Sequence, residues 1–184
     1  TLPAAQLRSG AAEMLKTFAL FDEKLYDEAV RVFAKLQSTG YSGSVVEEAL
    51  PKIVELAAAA AKCKEKVVKK DLFDTGRRHL LNFGHTFGHA IEWWQNTEEG
   101  SAALPVKYSH GEAVAIGMVR AAQLSEKESL AEPGLAESLR ADFKACGLPT
   151  ELPCPEDKLM PAIANDKKIV DSGKLDFVYI RRIG

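Results

Sequence analysis

The run Asn82-Phe83-Gly84-His85-Thr86-Phe87-Gly88-His89 sets two imidazoles four residues apart, a spacing that puts both on one face of a helix. At about 100° per residue, Arg78, Asn82, His85 and His89 fall at roughly 0°, 40°, −20° and 20°. A helix over 77–94 would therefore carry all four on one narrow stripe. Phe83, Phe87, Ala90, Ile91 and Trp94 gather opposite, as the face that packs into a core. An isolated HxxxH usually marks two packed or surface histidines. A solvated face carries Lys and Glu, however, so Arg-Asn-His-His on one stripe points to a site. Gly84 and Gly88 inside such a helix each cost about 1 kcal/mol relative to Ala. Four residues apart, they leave a smooth flank that another backbone can approach.

Two further cues lie outside this run. His110-Gly111-Glu112 directly precedes an apolar helix, so an imidazole stands at a helix start. Glu13 and Lys16 are one turn apart on an earlier helix, a spacing that alone means a surface ion pair. Together the three cues allow one carboxylate and two imidazoles at one centre. Three protein ligands with an open position are the pattern of catalytic rather than structural zinc, and the open position would polarise a substrate oxygen. Lys16, Lys64, Arg78 and Lys167 or Lys168 would suit a phosphate and a carboxylate on the substrate. The rest of the lysine run over 62–70 reads as a solvated helix end.

The elements that must position these groups are helical. Pro3 suits an early position of a first helix carrying Leu7, Ala11, Met14, Leu15 and Phe18. A second starts near Asp22, with Leu25, Ala29, Val32, Phe33 and Leu36 on one side. Ser44 with Glu47 reads as a capping box, Pro51 as a break or restart, and a longer helix continues to about Lys69. After the 77–94 helix comes a polar loop with Gly100 and Pro105, then helices over 111–127 and 134–145, stopped by Gly147 and Pro149. Pro155 opens a short helix to about Asn165. Segments 168–170 and 175–180 flank Ser172-Gly173 as a β-hairpin. The expected fold is mainly α, a helical bundle with a short hairpin near the end.

The 184 residues are 46% hydrophobic and 27% charged, the balance of an ordinary soluble domain. A net charge of −2 argues against a nucleic-acid binder. No apolar run reaches the roughly 18 residues of a membrane span. Cys63, Cys146 and Cys154 form no CxxC pair, which suggests a cytoplasmic protein in a reducing compartment. Thr1 in place of Met suggests a trimmed chain.

The blocks Leu7 to Lys16 (LRSGAAEMLK), Leu80 to Glu92 (LLNFGHTFGHAIE) and His110 to Met118 (HGEAVAIGM) resemble, in that order, the dehydroquinate synthase family, and the likeness covers essentially the whole chain. The resemblance implies the second step of the shikimate pathway, in aromatic amino-acid biosynthesis. There 3-deoxy-D-arabino-heptulosonate 7-phosphate becomes 3-dehydroquinate and phosphate. Bound NAD oxidises a substrate hydroxyl, phosphate is eliminated, the ketone is reduced back, and ring opening with an intramolecular aldol step closes the carbocycle. The resemblance implies Zn2+ or Co2+ on Glu13, His85 and His110, with His89 beside the metal in proton transfer or orientation rather than ligation. An imidazole suits that role because its pKa lies near working pH. It also implies that Lys16, Lys64, Arg78 and Asn82 bind substrate, with Lys167 near the phosphate.

Two stretches depart from the family pattern. The run 71–77 is less acidic than in many relatives, which bears on Asp74, and the loop over 93–109 is longer than in some. Nothing here resembles the family's NAD-binding half, since no strand–GxG–helix unit precedes the helical run. The expectation is a C-terminal metal- and substrate-binding domain over 1–184. The NAD-binding domain would be a missing partner, the full-length enzyme a homodimer, and the chain alone inactive. Alternatives are another sugar-phosphate cyclase of the inosose or valiolone type, a metal-dependent alcohol dehydrogenase of the glycerol dehydrogenase type, or a non-catalytic helical module.

Overall fold

The computed structural model describes residues 2–71, 76–166 and 177–184. Eight α-helices stand among them: α1 (Ala4–Phe21), α2 (Glu23–Ser38), α3 (Gly43–Lys70), α4 (His85–Trp94), α5 (Glu98–Ala103), α6 (His110–Lys127), α7 (Leu135–Ala145) and α8 (Met160–Asp166). A six-residue 3-10 helix, Arg77–Asn82, leads into α4, and a short one, Glu156–Lys158, precedes α8.

The sequence of α6 explains the layout. Gly111 and the unbroken stretch Ala113 to Val119 are buried, so this helix is apolar on every side and must be surrounded. Helices α1, α4 and α7 pack around it. On one side, Leu15 and Phe18 of α1 meet Phe33 and Leu36 of α2, Leu56 of α3 and Leu139 and Phe143 of α7. On the other, Phe87, Ile91 and Trp94 of α4 pack with Ile116, Leu159 and Ile163. A buried Tyr26 hydroxyl hydrogen-bonds Asp142 at 3.0 Å and ties α2 to α7.

Glycines set the spacing between α4 and α6. A Cβ on Gly117 would lie 2.0 Å from the Gly84 carbonyl oxygen and 3.0 Å from the Gly88 nitrogen. The smooth flank expected at Gly84 and Gly88 is therefore filled by the backbone of α6. Gly111 does the same against α1, where a Cβ would meet the Ser9 carbonyl oxygen at 2.3 Å. The Gly111 N–H also donates to Ser9 Oγ at 3.1 Å.

Several expectations are corrected. The continuous helix over 77–94 is broken at Gly84, whose φ of 79° ends the 3-10 helix and starts α4. The stripe drawn for one straight helix therefore holds for His85 and His89 but does not extend to Arg78 and Asn82. Pro51 interrupts nothing: α3 runs through it for 28 residues. The box at Ser44 and Glu47 does not form, because the helix begins earlier, with Ser42 as an N-cap whose side chain makes no capping hydrogen bond. A capping box does form at Ser109 and Glu112. The polar loop contains α5, capped by the Thr97 side chain.

The β-hairpin is also overturned. No strand occurs among the described residues, and residues 177–180 of the expected second arm run as irregular chain. Helices satisfy this tail instead: the Ile180 N–H donates to Ser125 Oγ at 3.0 Å, and Gly184 N–H to the Ala19 carbonyl at 2.9 Å. The Arg181 carbonyl accepts from Glu132 N–H at 3.1 Å, while Phe177 packs on Phe87. The first arm, 168–170, and the turn lie outside the described residues.

Gly117→Ala should lower stability by about 1–3 kcal/mol, because the α4–α6 contact has no room for a methyl group. Gly10→Ala on α1, where nothing lies within 4 Å of the added Cβ, should stabilise by up to about 1 kcal/mol. Thermal and denaturant unfolding of both variants measure the contrast, and equal effects would contradict the close contact.

Candidate metal centre

Three elements deliver the chemistry-bearing side chains to one place. Glu13 and Lys16 stand on α1, His85 is the first residue of α4, and His110 is the first residue of α6. The αL turn at Gly84 fixes where α4 begins. The capping box fixes α6: Ser109 Oγ accepts from the Glu112 N–H, and Glu112 accepts from the Ser109 N–H at 2.9 Å. Arg8 of α1 also pairs with Glu112 at 3.6 Å, close to the Ser9–Gly111 contact. Buried Gln95 returns the intervening loop to the helix start. Its Nε2 donates to the Tyr108 carbonyl at 3.1 Å, and its Oε1 accepts from the Tyr108 N–H at 2.9 Å.

One ligand atom each from Glu13, His85 and His110 lies within 4.8 Å of the others. The His85 ring meets the His110 ring edge-on, with centroids 5.2 Å apart, and the His89 ring at 5.3 Å. His89 stands one turn further along α4, exposed, with its ring 6.2 Å from that of His110.

Two ammonium groups grip the carboxylate. Lys16 Nζ donates to Glu13 Oε1 at 2.9 Å, and Lys64 Nζ, from α3, to Oε2 at 2.8 Å. Burial pushes the Glu13 carboxyl up, but the charges and hydrogen bonds of Lys16 and Lys64 outweigh it and hold the group down at about 2. Lys16 is only 2% exposed. Burial lowers its pKa, and the Glu13 charge opposes that shift. Burial, and then the Lys16 charge, push His85 down to about 4, so it is neutral at physiological pH. The His85 Nδ1 is 3.3 Å from the Phe83 carbonyl. A carbonyl only accepts, so Nδ1 carries the proton and Nε2 presents the lone pair.

The structure thus brings together Glu13, Lys16, Lys64, His85, His89 and His110. Arg78, half-buried, and Asn82, exposed, stand on the 3-10 helix that packs against α1 and α3. The Arg78 N–H is held by Asp71 Oδ2 at 3.0 Å. Lys167 and Lys168 lie outside the described residues, as does Asp74.

The profile of the 3-dehydroquinate synthase C-terminal family matches residues 10–169. The chain belongs to this family. It is 40% identical over 190 residues to the 3-dehydroquinate synthase of Rhizobium meliloti (strain 1021), covering all of this chain and 46% of that protein. The 3-dehydroquinate synthase of Lactiplantibacillus plantarum is 34% identical over 184 residues, with the same coverage. The chain therefore spans about half the length of the curated relatives it matches. Among solved structures, the 2-epi-5-epi-valiolone synthase of Streptomyces hygroscopicus subsp. jinggangensis 5008, with NAD+ and Zn2+ bound, superposes with a TM-score of 0.77 at 27% identity. That match covers all of this chain and 47% of the solved one. A 2-deoxy-scyllo-inosose synthase shares the fold, with a TM-score of 0.67 at 19% identity over all of this chain and 48% of its own.

Glu13→Gln in the metal-free chain leaves the buried Lys16 ammonium without its carboxylate and should cost about 3 kcal/mol. The double variant Glu13→Gln/Lys16→Met should recover most of that loss. Denaturant unfolding of the two single variants and the double completes the cycle, and additive losses would contradict a coupled pair.

Proposed function

We propose that this chain is the metal- and substrate-binding half of a 3-dehydroquinate synthase, a lyase that converts 3-deoxy-D-arabino-heptulosonate 7-phosphate to 3-dehydroquinate and phosphate. The observation that carries the reading is the cluster of Glu13, His85 and His110 beside Lys16 and Lys64, in a chain of this family. Curated relatives of that name reach 34–40% identity, while the solved valiolone synthase stands at 27%, so dehydroquinate is favoured over valiolone.

The donor set fits a divalent cation. One carboxylate and two neutral imidazoles suit Zn2+ or Co2+, and three protein ligands leave a position for substrate. Donor atoms around tetrahedral zinc lie about 3.4 Å apart, so a spread within 4.8 Å needs only a small side-chain adjustment. Each Glu13 oxygen takes one ammonium and keeps a second lone pair with which to ligate. A cation held there supplies Lewis acidity toward substrate hydroxyl oxygens.

The chain's own residues do the rest of the work assigned to it. Lys64, 37% exposed, can turn from Glu13 to a substrate anion, and Lys16 stays to balance the carboxylate. Arg78 offers a planar fork for a carboxylate or phosphate, and Asn82 an amide for a hydroxyl. Lys167 is assigned to the phosphate. His89, exposed beside His85, exchanges protons with the substrate. NAD is assigned to the half of the relatives that this chain does not match, as is the remaining wall of the cleft. The full-length enzyme is assigned as a cytoplasmic homodimer. Among the described residues, no helix is long and apolar enough to cross a membrane.

Zinc titration by calorimetry should show one site on the 184-residue chain, weakened at least about 100-fold by His85→Ala through loss of one of three ligands. The same chain given NAD and the heptulosonate phosphate should release no phosphate. Equal zinc affinity in the variant, or measurable phosphate release, would overturn the assignment.

A further inference from the structure

Glu92 belongs to α4, three residues beyond His89, and is not one of the three clustered ligands. Its Oε1 lies 3.1 Å from Nδ1 of His110, the residue that opens α6. An ionised carboxylate only accepts hydrogen bonds, so this contact puts the imidazole proton on Nδ1. The lone pair is then on Nε2, the nitrogen left for the Glu13–His85 cluster. His85 has the same arrangement, with the Phe83 carbonyl taking its Nδ1 proton.

The two histidines differ in what fixes them. His85 is half-buried and held by its own chain two residues away. The His110 side chain is 45% exposed, and its anchor comes from another helix. The capping box at this helix start involves Ser109 and Glu112 and makes no contact with the ring. The contact from Glu92 across the α4–α6 seam is the hydrogen bond that orients it. A carboxylate behind a ligating imidazole also raises the basicity of the nitrogen facing the metal.

We propose that Glu92 is a positioning residue that holds His110 as its Nδ1–H tautomer, with Nε2 turned toward Glu13 and His85. Its relevance to metal binding rests on the metal reading above, but the tautomer can be read without any metal.

Long-range 1H–15N correlation spectra of the metal-free 184-residue chain assign the protonated nitrogen of each imidazole. His110 should carry its proton on Nδ1. Glu92→Leu should move His110 to the Nε2–H form or a mixture, with circular dichroism unchanged. Glu92→Gln, whose amide oxygen still accepts, should keep the Nδ1–H form. In zinc titrations, Glu92→Leu should weaken binding by about 10–100-fold, and Glu92→Gln should restore most of it. Retention of the Nδ1–H form in Glu92→Leu would overturn the proposal. A wild-type chain that shows this Glu92-dependent tautomer but binds no zinc would leave the proposal standing and sink the metal reading instead.

Discussion

Between α4 and α6 the Gly84 carbonyl faces Gly117 so closely that a methyl group on Gly117 would sit 2.0 Å from the oxygen. The positions of two of the three clustered side chains depend on this backbone-on-backbone contact. It sets the start of α4, and hence His85, against the flank of α6, whose own start carries His110. The Ser9–Gly111 contact then seats α1 against the start of α6 and brings Glu13 alongside. Two glycine contacts thus fix three helices at side-chain distance. The apolar clusters on either side of α6 supply the burial that holds those contacts shut.

Electrostatics then divides the labour among the clustered groups. Lys16 and Lys64 hold the Glu13 carboxyl at about 2, so it stays an anion across the working range. Burial and the Lys16 charge hold His85 at about 4, so it stays a neutral donor. A metal ligand must be deprotonated to bind, and both groups meet that condition at neutral pH. On the proposed function, the same ammonium groups would give a phosphorylated, carboxylated substrate its charge complement. One cluster of charges would then serve both the proposed ligands and the substrate.

Much of this was legible in the sequence, because helix periodicity is local. Glu13 with Lys16, and His85 with His89, are related by single turns, and their grouping followed from spacing alone. The straight stripe through Arg78 and Asn82 failed because Gly84 takes a left-handed conformation imposed by α6, which no local pattern reveals. The hairpin expected over 168–180 failed in the described part of its second arm, 177–180, because the tail's backbone bonds to Ser125 and, at Gly184, to Ala19, a tertiary choice. The capping box was misplaced onto Ser44, although Ser109-x-x-Glu112 carries the same signature directly before α6. The sequence marks Lys64 only as a substrate cation, and neither its reach to Glu13 across 51 residues nor that of Glu92 to His110, 18 residues away, is legible there. Its signal was a carboxylate on α4 close to His89 and unassigned to any role.

On the proposed function the paired histidines of α4 part company, His85 joining Glu13 and His110 while His89 stays off the metal. Zinc-edge anomalous diffraction from crystals of the chain grown with zinc reads the ligand set directly. One strong peak is expected within bonding distance of a Glu13 oxygen, His85 Nε2 and His110 Nε2, with His89 outside it. A peak bound by His85 and His89 together, with Glu13 still on its two lysines, would contradict it.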